Sequence, residues 1–345
     1  MNTKKARKLN LAMQGGGSHG AFGWGVLDRL LEDGRFELDG VSATSAGAMN
    51  AAVYAYGKMT GGPEQARALL EQFWSKVSET GRRLSPVRRT LFDDWMTMIG
   101  VRESVSYVMF DAMTRVLSPY QLNPFNYHPL RTILEETIDF EQLRQCTCTQ
   151  LSIAATNVKT GGVRIFRNGE VSADAIVASA CLPMLFQAIE IEGEFYWDGG
   201  YMGNPALYPL IYNTESNDIL IVHINPIVRD AVPRTASDIM NRVNEISFNS
   251  SLIRELRAIS FVTKLIDEDW IRPEYKDRLR RVNIHAVRSD AHMSSYTVAS
   301  KFETDWPFLT KLRDAGRMAA SAWLDSASDS VGKESSVDLA RDYLS

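Results

Sequence analysis

Ser45 in ATSAG (Ala43–Gly47) and Asp198 in YWDGGYMGNP (Tyr196–Pro205) are a hydroxyl and a carboxylate, each placed where an apolar run ends and small residues begin. A serine that follows a strand and opens a helix is forced into a sharp, exposed bend, and its neighbours must be small for strand and helix to pack closely. Ser45 is therefore a candidate nucleophile, with Ala43, Ala46 and Gly47 as the small residues around it. The plainer reading is a serine helix cap. Asp198 follows two aromatics and precedes Gly199 and Gly200, which would present a carboxylate on a tight bend. Taken alone it reads as an Asp-Gly turn. The third stretch is GGGSHG (Gly15–Gly20), directly behind the apolar run LNLAM and ahead of a helical pattern. Glycines let backbone N–H groups approach a ligand, and the helix behind them adds the positive end of its dipole. An oxyanion, a phosphate or a pyrophosphate would suit such a turn. Its spacing also satisfies GxGxxG, a dinucleotide fingerprint.

The elements that must carry these motifs alternate. A strand (Lys8–Met13), a helix (Ala21–Glu32), a strand (Leu38–Thr44) and a helix (Ala46–Tyr56) open the chain, which predicts a layered α/β fold with parallel strands. Residues 61–77 continue as helix, and residues 81–138 read as a helical insertion with little strand character. Strands resume at Gln150–Thr156 and Val163–Arg167, joined by a Thr160–Gly162 hairpin turn. VSADAIVASACLP reads as a helix stopped near Pro183, and Ile189–Gly200 as strand, turn, strand and glycine bend. Strands at Asp218–Pro226 and Arg281–Ser289 flank a long helix from about Ala236 to Ile266, and a last helix runs from about Phe308 to Leu324. Residues 1–325 form one domain on this reading. The serine-rich, acidic stretch 326–345 is expected to be a loose tail.

Composition narrows the function classes. With 345 residues, 45% of them hydrophobic, the chain can bury a full core. A net charge of -4 offers no basic field, so no nucleic-acid partner is expected. The basic MNTKKARK start lacks a cleavage site, and no apolar run approaches the roughly 20 residues of a membrane span. Three cysteines, Cys146, Cys148 and Cys181, lack zinc spacing and fit a reducing compartment, so a cytoplasmic location is expected. No metal site and no cofactor is expected.

In combination the three motifs resemble those of the patatin-like phospholipases, a family of lipid acyl hydrolases, from about Leu9 to Pro205. ASACLPMLFQAIEIEGEFYWDGG is similar to the family's approach to its aspartate. The resemblance implies a three-layer α/β fold with a central, mostly parallel sheet flanked by helices. It implies a dyad of Ser45 as nucleophile and Asp198 as base, and an oxyanion hole from the backbone of Gly15, Gly16, Gly17 and Ser18. Gly20, Ala43, Ala46, Gly47, Gly199 and Gly200 would support the motifs. Two departures stand out: Ala43 where the pattern usually has glycine, and His19 where the loop often carries Arg or Lys.

Other readings stay open. His292, in a loop after Asp198, allows a Ser-His-Asp triad, whereas His285 alternates with apolar residues and reads as core. A dinucleotide-binding protein would need an acid where the second strand ends in SATSAG, and a catalytically silent binding protein or a transacylase are further alternatives. The expected partner is a lipid or ester substrate. LSPVRRTLFDDWMTMIGVRESVSYVMFDAM (84–113) places apolar anchors beside arginines, which suits a lid, a peripheral membrane contact or a core-packed helix alike. LSPYQLNPFNYHPL (117–130) reads as a shaped connection walling the site. The stripe Ile239, Val243, Ile246, Ile253, Leu256 reads as a core-facing helix side, with self-association into a homo-oligomer as the alternative.

Overall fold

The computed structural model describes residues 6–84, 105–229, 231–293 and 296–344. Among these, eight strands form one sheet: β1 (Arg7–Met13), β2 (Phe36–Ala43), β3 (Gln150–Asn157), β4 (Val163–Arg167), β5 (Ile189–Ile191), β6 (Glu194–Asp198), β7 (Asp218–His223) and β8 (Asn283–Arg288). The order is β5-β6-β3-β2-β1-β7-β8, with β4 paired to β3 off that path. β1 runs parallel to β2 and β7, β2 parallel to β3, and β7 parallel to β8, while β4, β5 and β6 pair antiparallel. β1 is buried from Leu9 to Met13, as a central strand covered on both faces must be. Alternation along β7 divides the interior: Leu220 and Val222 enter one apolar core, Ile219 and Ile221 the other. The result is the expected three layers, helix on sheet on helix.

The glycine turn leads into α1 (Gly20–Asp33), and the bend after β2 into α2 (Ala46–Leu84), which breaks at Gly61 and Gly62 before Pro63 restarts it. α1 packs against α7 (Trp306–Ser326) at backbone contact. A side chain at Gly25 would strike the Arg313 carbonyl, and one at Gly316 the Phe22 carbonyl. The other helices of seven or more residues are α3 (Val105–Val116), α4 (Pro129–Thr137), α5 (Ala173–Ser179) and α6 (Ala236–Asp267) among the described residues.

Two expectations change. The C-terminal stretch is not loose: Val331 and Tyr343 are buried, Ser336 N–H donates to the Ile284 carbonyl at 3.1 Å, and Gly332 N–H donates to Asp218 at 2.9 Å. Its polar composition hid a few well-placed apolar anchors. On α6, Ile239, Val243 and Ile246 are exposed, and the inward stripe is Glu245, Phe248, Asn249, Leu252, Leu256 and Ile259. Buried polar residues, Glu245, Asn249 and the nearby Ser251, defeat a hydrophobic-period reading. Of stretch 84–113, residues 85–104 lie outside the described residues, and residues 105–113 belong to α3. The connection 117–130 holds one helical turn (Pro119–Leu122) and is tied to the strand-end region by Gln187 Nε2 donating to the Asn123 carbonyl at 2.7 Å. Among the described residues, no helix is long and apolar enough to cross a membrane.

Candidate active site

Strand register brings the serine and the aspartate together. β2 occupies one edge of β3 as far as Ala43 opposite Ile153, and β6 takes over the same edge antiparallel, with Asp198 opposite Ala155. β4 fills the other edge across Ser152–Thr156. The end of β2 and the end of β6 therefore meet head to head, and Thr44, Ser45 and Asp198 occupy the gap.

Ser45 has φ 56°, a left-handed conformation that costs a non-glycine residue about 1–2 kcal/mol. Its surroundings hold it there. Ser179 Oγ accepts the Ser45 N–H at 2.8 Å, and the Ser45 carbonyl accepts from Met49 N–H at 3.2 Å in the first turn of α2. The small neighbours have steric reasons: a Cβ at Gly47 would lie 2.6 Å from the Met13 carbonyl, and one at Gly15 would lie 2.6 Å from Ser45 Cβ. A Cβ at Gly20 would collide with Ala46, which is how the starts of α1 and α2 stay close. Ala43 is fully buried, so its methyl is accommodated.

Asp198 is 1% exposed. Its carboxylate accepts a hydrogen bond from Gly200 N–H at 2.6 Å, and the Ser45 side chain stands near enough to favour its ionised form. Its own backbone is clamped by Cys181 and by Thr156 Oγ1, the latter donating to the Asp198 carbonyl at 2.8 Å. Burial pushes the carboxyl up to about 7, against the pull of these donors and of Lys301. Gly199 and Gly200 have no room for side chains, the first against the Ala154 carbonyl and the second against the Phe248 ring.

The glycine loop is held by polar residues that the motif reading passed over. Gln14 Oε1 accepts the N–H groups of Ile224 and Asn225 at 2.8 and 2.9 Å, and Asn225 Nδ2 donates to the Gly15 carbonyl at 3.0 Å. The Gly15 N–H, expected among the oxyanion donors, is already given to Asn204 Oδ1 at 2.7 Å. The N–H groups of Gly16, Gly17 and Ser18 have no acceptor among the described residues. Gly17 has φ 58°, and a Cβ there would run into the Lys301 carbonyl. His19 is buried and donates to or accepts from Ser300 Oγ at 2.8 Å; burial, with Lys301 nearby, pushes the imidazole down to about 3. None of Gln14, Asn204, Asn225 or Lys301 carries a motif signal. The nearest hint is YMGNP, which continues the Asp-Gly-Gly stretch as far as Asn204.

The other histidines stand elsewhere. His285 Nε2 bonds Asp218 at 3.1 Å and Nδ1 bonds Ser336 Oγ at 2.9 Å, fixing the C-terminal stretch to the start of β7 and β8. Among the described residues, no hydrogen bond joins His292 to Ser45 or Asp198, and no group of three His, Cys, Asp or Glu side chains is placed to hold a metal ion.

Comparison with known proteins follows this geometry. No curated protein matches the chain. Among solved structures it is similar to VipD from Legionella pneumophila, at 16% identity and TM-score 0.44 over 94% of this chain and 67% of VipD. It is also similar to the type III effector ExoU, at 15% identity and TM-score 0.32 over 93% of this chain and 53% of ExoU. The chain thus spans about half the length of ExoU. A third is the ExoU-SpcU complex from Pseudomonas aeruginosa, at 16% identity and TM-score 0.33 over 92% of this chain and 75% of that one. The model of the patatin-like phospholipase family matches residues 11–211, which contain the glycine loop, the serine elbow and the Asp-Gly-Gly bend. By that match over more than half its length, the chain belongs to the patatin-like phospholipase family.

Proposed function

We propose that the chain is a serine acyl hydrolase of lipid esters, of phospholipase A or lipid carboxylesterase type, working through Ser45 and Asp198. The observation that carries this reading is a serine held on a left-handed bend beside a buried carboxylate whose ionised form it favours, next to three backbone N–H groups with no acceptor among the described residues. Asp198 takes the Ser45 proton as Oγ attacks the ester carbonyl carbon, and Gly16, Gly17 and Ser18 donate to the oxyanion that forms. The collapsing intermediate expels the alcohol, which leaves with the proton from Asp198. Water, deprotonated by the same carboxylate, then releases the acid from Ser45. An alcohol in place of water makes the same site a transacylase.

A carboxyl pushed to about 7 is a stronger base than an ordinary aspartate, and it is still ionised in good part at neutral pH. The start of α2 lies directly behind Ser45 and favours the developing alkoxide. Gly15 keeps a structural part, tied to Asn204. The triad alternative loses support because no histidine is bonded to Ser45 or Asp198 among the described residues. The dinucleotide reading loses support because the loop faces a serine and a carboxylate.

A fluorophosphonate probe tests the assignment. One adduct is expected, mapping by peptide mass spectrometry to Ser45 and absent in Ser45→Ala. An adduct on Ser336, the serine bonded to His285, would instead place the nucleophile at the other end of the sheet.

A further inference from the structure

The geometry points to Lys301 as a positioning residue that supplies the positive charge the glycine loop lacks, with His19 seating it there. This rests on the acyl-hydrolase reading above. The loop GGGSHG contains one ionisable side chain, and it is neutral: His19 is buried and bonded to Ser300. That bond fastens the turn Val298–Phe302 against the turn Gly17–His19. Lys301 stands in the fastened turn, its carbonyl against the Cα of Gly17 where a methyl would not fit.

The ammonium of Lys301 turns inward. Nζ donates to Oδ1 of the buried Asn225 at 3.1 Å and lies 5.4 Å from the centre of the Phe248 ring. Asn225 is the same residue that holds the Gly15 carbonyl, and Phe248 is the ring that packs on Gly200 beside Asp198. Lys301 thus sits between the proposed oxyanion donors and the proposed base. Five other ionisable groups face it: Asp198 and Glu245, which attract it, and His19, Arg229 and Tyr296, which line the same small cavity. Arg229 is bound to Glu245, which also takes Arg242 at 3.2 Å. Among the described residues, Lys301 is the cation whose charge acts on Asp198.

Such a charge has two effects on the reaction. It lowers the cost of negative charge on the Ser45 alkoxide and the oxyanion, and it holds the Asp198 carboxyl lower than burial alone would. Desolvation in turn brings the Lys301 ammonium down to about 8. With both groups in the free enzyme, kcat/KM should rise through pH about 7 as Asp198 ionises and fall above pH about 8 as Lys301 loses its proton.

The test is the pH profile of kcat/KM on a soluble p-nitrophenyl ester. Lys301→Met is expected to lower kcat/KM about 10- to 100-fold, to move the acid limb to higher pH and to lose the alkaline limb. Lys301→Arg keeps its charge, so the acid limb should stay and the alkaline limb should disappear below pH about 10. His19→Ala, which releases Ser300, should lower the rate with the same upward move of the acid limb. A Lys301→Met enzyme whose limbs stay in place, or a Lys301→Arg enzyme that keeps the alkaline limb, overturns the proposal; the second result does so even if Lys301→Met fails to fold. Loss of all turnover in Ser45→Ala alongside unchanged Lys301 limbs would reject this inference and leave the hydrolase reading standing. Turnover surviving in Ser45→Ala would remove the reading itself.

Discussion

Ser45→Ala and Asp198→Asn each lower kcat/KM on a lipid ester by on the order of 10^4-fold or more, and the double variant is hardly worse than either. The two act as one unit, since the carboxylate has no use without the hydroxyl beside it. Asp198→Asn retains the shape and can still accept from Gly200 N–H, so melting temperature should change little while activity collapses. Removing a buried charge that desolvation already disfavours is not itself destabilising. His292→Ala should stay within about twofold of the parent. Steady-state kinetics beside thermal melts read all four. A His292→Ala enzyme as dead as Ser45→Ala would restore the triad, and an Asp198→Asn enzyme of near-parent activity would remove the base.

Gly17→Ala carries the second large effect. Its cost has two parts that Gly34→Ala separates, because both glycines have positive φ, 58° and 72°, but nothing lies within 4 Å of a Cβ at Gly34. Gly34→Ala should therefore lose only the strain of a left-handed alanine, about 1–2 kcal/mol of stability, with kcat intact. A methyl at Gly17 meets the Lys301 carbonyl, so the loop must move and take the N–H groups of Gly16, Gly17 and Ser18 off target. A further loss of about 10^2- to 10^3-fold in kcat is expected. Equal kcat in the two variants would mean that the loop does not bind the transition state.

What could be read from the residues was what is local. LNLAM followed by glycines, VSATSAG and FYWDGG each signal a strand end by composition over a few residues, and the structure has β1, β2 and β6 ending at those places. The α/β layering follows from the same alternation of apolar runs. The register that sets Ala43 and Asp198 two residues apart on β3, the first by parallel and the second by antiparallel pairing, was not legible in the residues, because pairing is a long-range property. Lys301 lies in an unremarkable VASKF segment, more than 280 residues from the loop it touches, and nothing in that segment marks it. Gly15 matches the motif as well as its neighbours do, yet Asn204 uses its N–H. Glu245 and Asn249 broke the period on α6 because a helix that faces a site is polar there.

The most direct measurement is a mass-spectrometric substrate panel. Phospholipid vesicles, mixed-acyl glycerides and simple esters would be incubated with the parent, Ser45→Ala and Asp198→Ala proteins, and the released acids and remaining lysolipids quantified. Free fatty acid with matching lysolipid, formed by the parent and by neither variant, is the predicted result. Parent turnover of no acyl ester, or fatty-acid release that persists in either variant, would contradict it.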